Sequence, residues 1–280
     1  MTEQETFYNE ILADLENGSL VLPTLPEVAL KVRDVVDDPD ATAAKLADII
    51  ITDPALSTRL LKVANSALYR GRIPVESVQM AVSRLGLTMV RNLVTSLVME
   101  QMFQATSNKI EKRLHDLWNH CIEVAAISQV IAAKQPGIKA DEAMLAGLIH
   151  NIGVLPIILK AEDSPAILQD PVLLDSLISR FHTRIGAAIL KNWKFPKSLI
   201  AVAAEYENYD RDSDGPPDLV DIIQVAVIQS YTNTDKALSD EQLQNIKAFT
   251  RLNIDTNINV VELDENSAEY AEALALFGGI

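Results

Sequence analysis

Apolar positions recur at intervals of three and four along almost the whole chain, the period of a helix with one face against a core. Residues 3–16 set Phe7, Ile11, Leu12 and Leu15 on one face ahead of a turn at Asn17 and Gly18. In LPTLPEV, residues 22–28, Pro23 makes the preceding segment extended and Pro26 suits the first position of a helix. That helix is predicted from Glu27 to about Asp37, with Val28, Val32, Val35 and Val36 inward. After the DDPDAT turn, Ala43 to Thr52 presents Leu46, Ile49 and Ile50. Asp53 and Pro54 are an N-cap and first-turn pairing, and Leu56, Leu60, Leu61 and Ala64 follow before the helix ends near Asn65 to Leu68. Beyond the polar link YRGRIP, a helix over 76–85 stops at Gly86, and Thr88 is the expected N-cap of another running through Val90 to Phe103.

The next segment, Lys109 to Ala133, reads as one long helix carrying Leu114, Leu117, Trp118, Cys121, Val124, Ala125 and Ile131, closed by Pro136 and Gly137. It also carries His115 and His120. Glu142 to Ile149 is apolar on every face, which marks a central buried element, and Gly153 and Pro156 break it. His150 and Asn151 stand just before the break, so both are expected inside. Helices are further predicted at Val172–Phe181, Thr183–Asn192, Ser198–Tyr206, Val220–Tyr231, Asp240–Thr250 and Ala268–Phe277. Ser239 with Gln242 and Asn266 with Glu269 are capping-box signatures before the last two, and Gly278 and Gly279 end the chain's last helix. No sustained period-two alternation, glycine-rich dinucleotide pattern or fixed repeat occurs, so the fold class is all-α. The acidic run ENYDRDSDGPPD, residues 207–218, lacks the spacing of a calcium-binding EF-hand and reads as a solvated connection.

Composition narrows the function classes. Glycine and proline together are about 8% of the chain against an average near 12%, and aromatics are 5%, which disfavours turn-rich β architectures. The net charge is −15 with no basic block, so nucleic acid is not an expected partner, although a local pocket can still hold a phosphate. The single Cys121 excludes an intramolecular disulfide and a CxxC motif. The acidic, amphipathic start lacks the basic end and apolar centre of a secretion signal. The uncharged stretch Ala143–Leu159 is short for a membrane span and interrupted by His150, Asn151, Gly153 and Pro156. A cytoplasmic protein with no membrane partner is expected.

Three histidines on separate helices, His120, His150 and His182, are the candidate chemistry. Neutral imidazoles meeting in an interior can hold a transition metal that activates water, and they can equally be hydrogen-bonded core groups. Other polar marks have simpler readings: Asp53 as an N-cap, Asn65 and Ser66 tying off their helix toward Arg70, Arg91 bridging helix ends. Trp118 and Trp193 read as core or groove aromatics and Cys121 as a small buried side chain.

The runs LPTLPEV, LADIIITDPALSTRLLKVANSALY (46–69) and SVQMAVSRLG (77–86) closely resemble the HDOD family, the HD-related output domain of bacterial signalling proteins. The resemblance covers about residues 15–235; WNHCIEVA, LAGLIHNIGVLPI and HTRIGAAILKNWKFP look like the histidine segments of the wider HD phosphohydrolase superfamily. It implies an N-terminal helical subdomain over 1–106 packed on an HD-like helical subdomain over 107–235, with a helical C-terminal extension over 236–280. It also maps a metal set onto His120, His150 and, as a further ligand, His182, where HD hydrolases have a histidine, a His-Asp pair, a later aspartate and further histidines. The aspartate of the pair is Asn151 here and the later one falls at Val227, while AAEYE, residues 203–207, stands where paired histidines are often found. An amide supplies no negative charge and valine no ligand atom. The resemblance therefore implies a pseudoenzyme with a degenerate pair, His150 and Asn151, no expected catalytic residue or cofactor, and regulation by binding signalling protein partners. No receiver, cyclase or kinase pattern lies within the 280 residues, so separate partners are expected. Two alternatives stay open. One is a phosphohydrolase acting on nucleotides or cyclic dinucleotides through a divalent transition metal, and the other is a small-molecule or nucleotide sensor.

Overall fold

A computed structural model of the chain describes residues 3–17, 25–66, 69–104, 107–232, 234–260 and 264–277. The expected turn at Gly18, the extended stretch at Pro23, the helix end at Ala67 and Leu68, the boundary at 106 and the closing Gly278 and Gly279 lie outside those residues, as does the side chain of Leu15. Among the described residues there are helices and no strand. They are α1 (Glu3–Glu16), α2 (Glu27–Val36), α3 (Ala43–Ile51), α4 (Pro54–Ala64), α5 (Val78–Leu85), α6 (Leu87–Met99), α7 (Glu111–Ala133), α8 (Ala140–Ile149), α9 (Val154–Glu162), α10 (Pro165–Leu168), α11 (Pro171–Asn192), α12 (Lys197–Glu205), α13 (Leu219–Ser230), α14 (Asp240–Gln244), α15 (Lys247–Leu252) and α16 (Asp264–Phe277). A 3-10 segment, Glu100–Phe103, extends α6.

Local chemistry sets many of the starts. Side chains of Thr42, Asp53, Ser77 and Asp170 each accept a hydrogen bond from a first-turn amide of the helix they precede. Asp218 with Asp221 and Ser239 with Gln242 form reciprocal capping boxes. Five boundaries differ from the sequence expectation. Gly86, at φ 83°, ends α5 and begins α6 together, so Thr88 lies in the first turn instead of capping it. Residues 172–181 and 183–192 are one helix, because nothing at 181–183 breaks it. Pro156 does not terminate: a proline in the first turn gives up an amide that has no intrahelical partner, and α9 starts at Val154. The 240–250 helix divides after Gln244. Asn266 lies within α16, not before it.

Helices α2 to α6 pack on one another, and α7, α8, α9, α11, α12 and α13 form a second group, joined to the first chiefly by α6 against α8. The chain ends are built into the second group. Helix α1 lies on α11, with Glu10 and Asp14 reaching Lys160 at 3.4 and 2.9 Å, and α16 lies on α7, where Phe277 meets Trp118 edge-on. Helix α8 runs through the middle and is buried from Ala143 onward. The stretch Ala140–Glu162 has the length and apolarity of a membrane span, yet it folds as two helices with 83% of its apolar window buried inside the protein.

The expected minor roles can be placed. Asn65 donates to Leu61 O and Val75 O and accepts from Val75 N, tying α4 to the link before α5. Arg91 on α6 lies 3.4 Å from Asp37, the C-cap of α2. Trp118 is a core aromatic against Phe103, Trp193 is half-buried beside Phe195, and Cys121 is fully buried, which pushes its thiol well above the usual range.

Candidate functional site

Helix α7 supplies His120, the turn after α8 supplies His150 and Asn151, and α11 supplies His182 from its middle. His115 is exposed and takes no part. Two tyrosines that the sequence did not single out complete the cluster: Tyr206, the C-cap of α12, and Tyr231, the C-cap of α13. The ring of His150, 1% exposed, stands 5.4 Å from that of His120 and 4.8 Å from that of Tyr206, both edge-on. The ring of Tyr231 is stacked on His120 at 5.1 Å, with its hydroxyl 3.3 Å from Nε2.

Hydrogen bonding fixes what each imidazole can do. His150 Nδ1–H donates to Gly147 O at 2.6 Å and His182 Nδ1–H donates to Ile178 O at 2.6 Å, since a carbonyl only accepts. His182 Nε2 lies 2.7 Å from the Tyr206 hydroxyl, which is 3.2 Å from Asn151 Oδ1. That hydroxyl has one proton. Given to Nε2, it fills the lone pair of a neutral imidazole. Given to Asn151, it requires Nε2 to carry a proton of its own, making an imidazolium that faces the Glu207 carboxylate at 3.4 Å. In either arrangement the lone pair a metal would take is spent. His150 Nε2 is buried with no hydrogen-bond partner among the described residues.

Burial sets the electrostatics. It lowers His120 to about 4, with the Lys236 charge adding to the effect. It lowers His150 well below the ordinary imidazole value, helped by the neighbouring His120 and opposed by the Gly147 carbonyl. Burial, followed by the Glu207 charge, pushes the Tyr206 and Tyr231 phenols well above their usual range. His120 and His150 are thus neutral rings, and Tyr206 and Tyr231 neutral hydroxyls.

The metal set implied by the family resemblance does not fit these residues. His182 is turned onto Tyr206, His120 has Tyr231 against its Nε2, and Asn151 is hydrogen-bonded to the same tyrosine. Val227 is buried and carries no ligand atom; one turn later on the same face of α13, Tyr231 makes the contact with His120. Among the described residues no three histidine, cysteine, aspartate or glutamate side chains are grouped to hold an ion. The segment AAEYE marked Tyr206 without revealing its direction. Tyr206→Phe is expected to cost about 1–3 kcal/mol, because it leaves the buried Nε2 of His182 and the Asn151 amide without the hydroxyl they share. Urea unfolding checks it, and a change below about 0.5 kcal/mol would show that the hydroxyl does not hold the cluster.

A model of the HDOD domain matches residues 22–209. A crystal structure from Shewanella amazonensis named "Putative metal-dependent phosphohydrolase" is 32% identical, with 99% of this chain and 100% of that one covered and a TM-score of 0.84. An HDOD domain protein with unknown function from Geobacter sulfurreducens shares the fold at 21% identity, with 98% of each chain covered and a TM-score of 0.66. So does a "Putative signal transduction protein" from Marinobacter aquaeolei, at 22% identity, 98% of this chain and 66% of that one covered, and a TM-score of 0.62. An uncharacterized protein of Treponema pallidum is 27% identical over 220 residues, 74% of this chain; the chain spans 41% of that relative's length.

Proposed function

The chain belongs to the HDOD domain family, and from that premise we propose that it is a signalling or regulatory protein that works by binding, with an HD-type centre that no longer carries out hydrolysis. The observation that supports this reading is the Tyr206 hydroxyl standing between His182 and Asn151. Tyrosine there gives a hydrogen-bonded interior in place of a ligand set, and a lost carboxylate at 151 leaves no anion to offset a divalent charge. The partners proposed are signalling proteins, with neither nucleic acid nor membrane among them, and the compartment proposed is the cytoplasm.

The metal-dependent phosphohydrolase reading has two supports: the name carried by the Shewanella amazonensis protein and the unfilled Nε2 of His150. Elemental analysis of protein purified without a chelator or metal-affinity tag separates the two. Manganese, iron, nickel and zinc are each expected below about 0.1 per chain, with no hydrolysis of bis(4-nitrophenyl) phosphate above that of His150→Ala when Mn(II) is added. A near-stoichiometric metal, or a hydrolysis rate abolished by His150→Ala, would reinstate the enzyme.

A further inference from the structure

A cleft of about 400 Å³ lies between α2 and α6 on one side and α8 and the α11–α12 turn on the other, within the size range of small-molecule sites. Four cations line it, Arg33, Arg91, Lys139 and Lys194, against the two carboxylates of Asp37 and Glu142. A local excess of positive charge in a chain of net charge −15 is a departure that needs a cause. Part of it is offset: Asp37 pairs with Arg91 and Asp34 with Arg33, each at 3.4 Å, while Glu142 accepts from the Ser198 hydroxyl, so the positive charge left over sits on the two lysines. Neither Lys139 nor Lys194 forms an ion pair with a carboxylate among the described residues. Leu145, Leu199 and Phe195 contribute apolar surface to the same cleft.

The backbone carries a second, independent mark. Lys194 has φ 58°, in the left-handed region, directly after the C-cap of α11, where Phe195 N returns to Leu190 O at 2.9 Å. Glycine or asparagine is the usual residue at such a position, and the other positive-φ non-glycine among the described residues is indeed an asparagine, Asn253. A lysine there is strained, and strain at a cleft is a signature of function. Arg33 donates to Trp193 O at 2.9 Å and so fixes the same turn from α2.

We propose that this cleft binds a phosphorylated small molecule of mononucleotide size, with its phosphate against Arg91, Lys139 and Lys194 and its ring on the apolar surface beside Phe195. A guanidinium fork with two ammonium groups suits a dianionic phosphate better than a single carboxylate. The ring has an apolar wall and an aromatic edge to meet. Occupancy would bridge the two groups of helices, which gives a binding protein a place where ligand and shape are coupled. No residue of the cleft belongs to the histidine cluster, so the proposal stands apart from the hydrolase question.

The test is isothermal titration of the full chain with the four common ribonucleoside monophosphates and with inorganic phosphate. At least one nucleotide is expected to bind at one site with a Kd below about 1 mM, and inorganic phosphate at least about tenfold more weakly. Lys139→Glu with Lys194→Glu should weaken binding at least about tenfold. Thr88→Trp, an exposed position lining the cleft, should block entry while leaving the circular dichroism unchanged. Lys194→Gly should weaken binding and yet raise the melting midpoint by about 2 °C, as relief of a left-handed lysine predicts. Failure of all four nucleotides to bind overturns the proposal, as does binding that all these variants leave unchanged. Inorganic phosphate binding as tightly as the nucleotides removes the ring from it.

Discussion

Gly153→Ala is expected to cost more than about 3 kcal/mol of stability, or to prevent folding outright. A methyl group at this position would collide with the carbonyl oxygen of His182 and stand 2.5 Å from Gly186 N. Both obstacles are backbone of α11, so no side-chain rotation relieves the overlap; α9 and α11 would have to separate. The same shift would carry His182 away from Tyr206. Gly186, on the other side of the crossing, has more room, with its nearest neighbours at 3.4 Å, and Gly186→Ala should cost about 1 kcal/mol or less. Urea unfolding followed by circular dichroism measures both. A Gly153→Ala protein within about 1 kcal/mol of the parent would mean that the two helices do not approach as described.

Mild acid is expected to destabilise the protein by about 3–4 kcal/mol between pH 7 and pH 5, through His120 and His150 alone. Both face the interior as neutral rings, His120 lowered to about 4 and His150 lowered well below the ordinary imidazole value by burial. An imidazole in the unfolded chain takes its proton near pH 6.5. The stability that the two rings confer is therefore fully present above pH 6.5 and is lost as the pH falls, because the unfolded state binds protons that the folded state refuses. Each contributes at most about 1.4 kcal/mol per pH unit, until the folded ring also protonates near pH 4 for His120. Most carboxylates titrate below this window, which keeps the histidines distinguishable. Unfolding free energies at pH 7, 6 and 5 test the slope, and His120→Asn with His150→Asn should flatten it. A parent curve flat from pH 7 to pH 5, or a slope the double variant leaves intact, would show that the rings are not buried neutral.

Much of this architecture was legible in the residues because helix starts and faces are local facts. Asp53 beside Pro54, and Ser239 three residues before Gln242, satisfy first-turn amides wherever they occur, and both do so here. The all-round apolarity of residues 142–149 led to a central helix, and α8 is buried as that pattern demands. Proline and glycine misled where their effect depends on position within a turn: Pro156 opens α9, although inside a helix it would have ended one. In the site, that Asn151 and Val227 carry no carboxylate is a fact of residue type, and the resemblance alone gave it meaning. What filled the gap was not readable in the same way.

By itself the sequence determined an all-α chain, its family, and three histidines on separate helices as the candidate chemistry. Only the tertiary structure placed tyrosine hydroxyls against His182 and His120. Tyr206 is 24 residues from His182 and 55 from Asn151, and Tyr231 is 111 from His120, yet each pair meets within hydrogen-bonding distance. Whether a tyrosine hydroxyl or a metal ion takes an imidazole lone pair depends on ångström-scale distances between helices, and those are set by close approaches such as Gly153 on α11. Periodicity along one helix contains the direction of a side chain but not the position of the neighbour it meets.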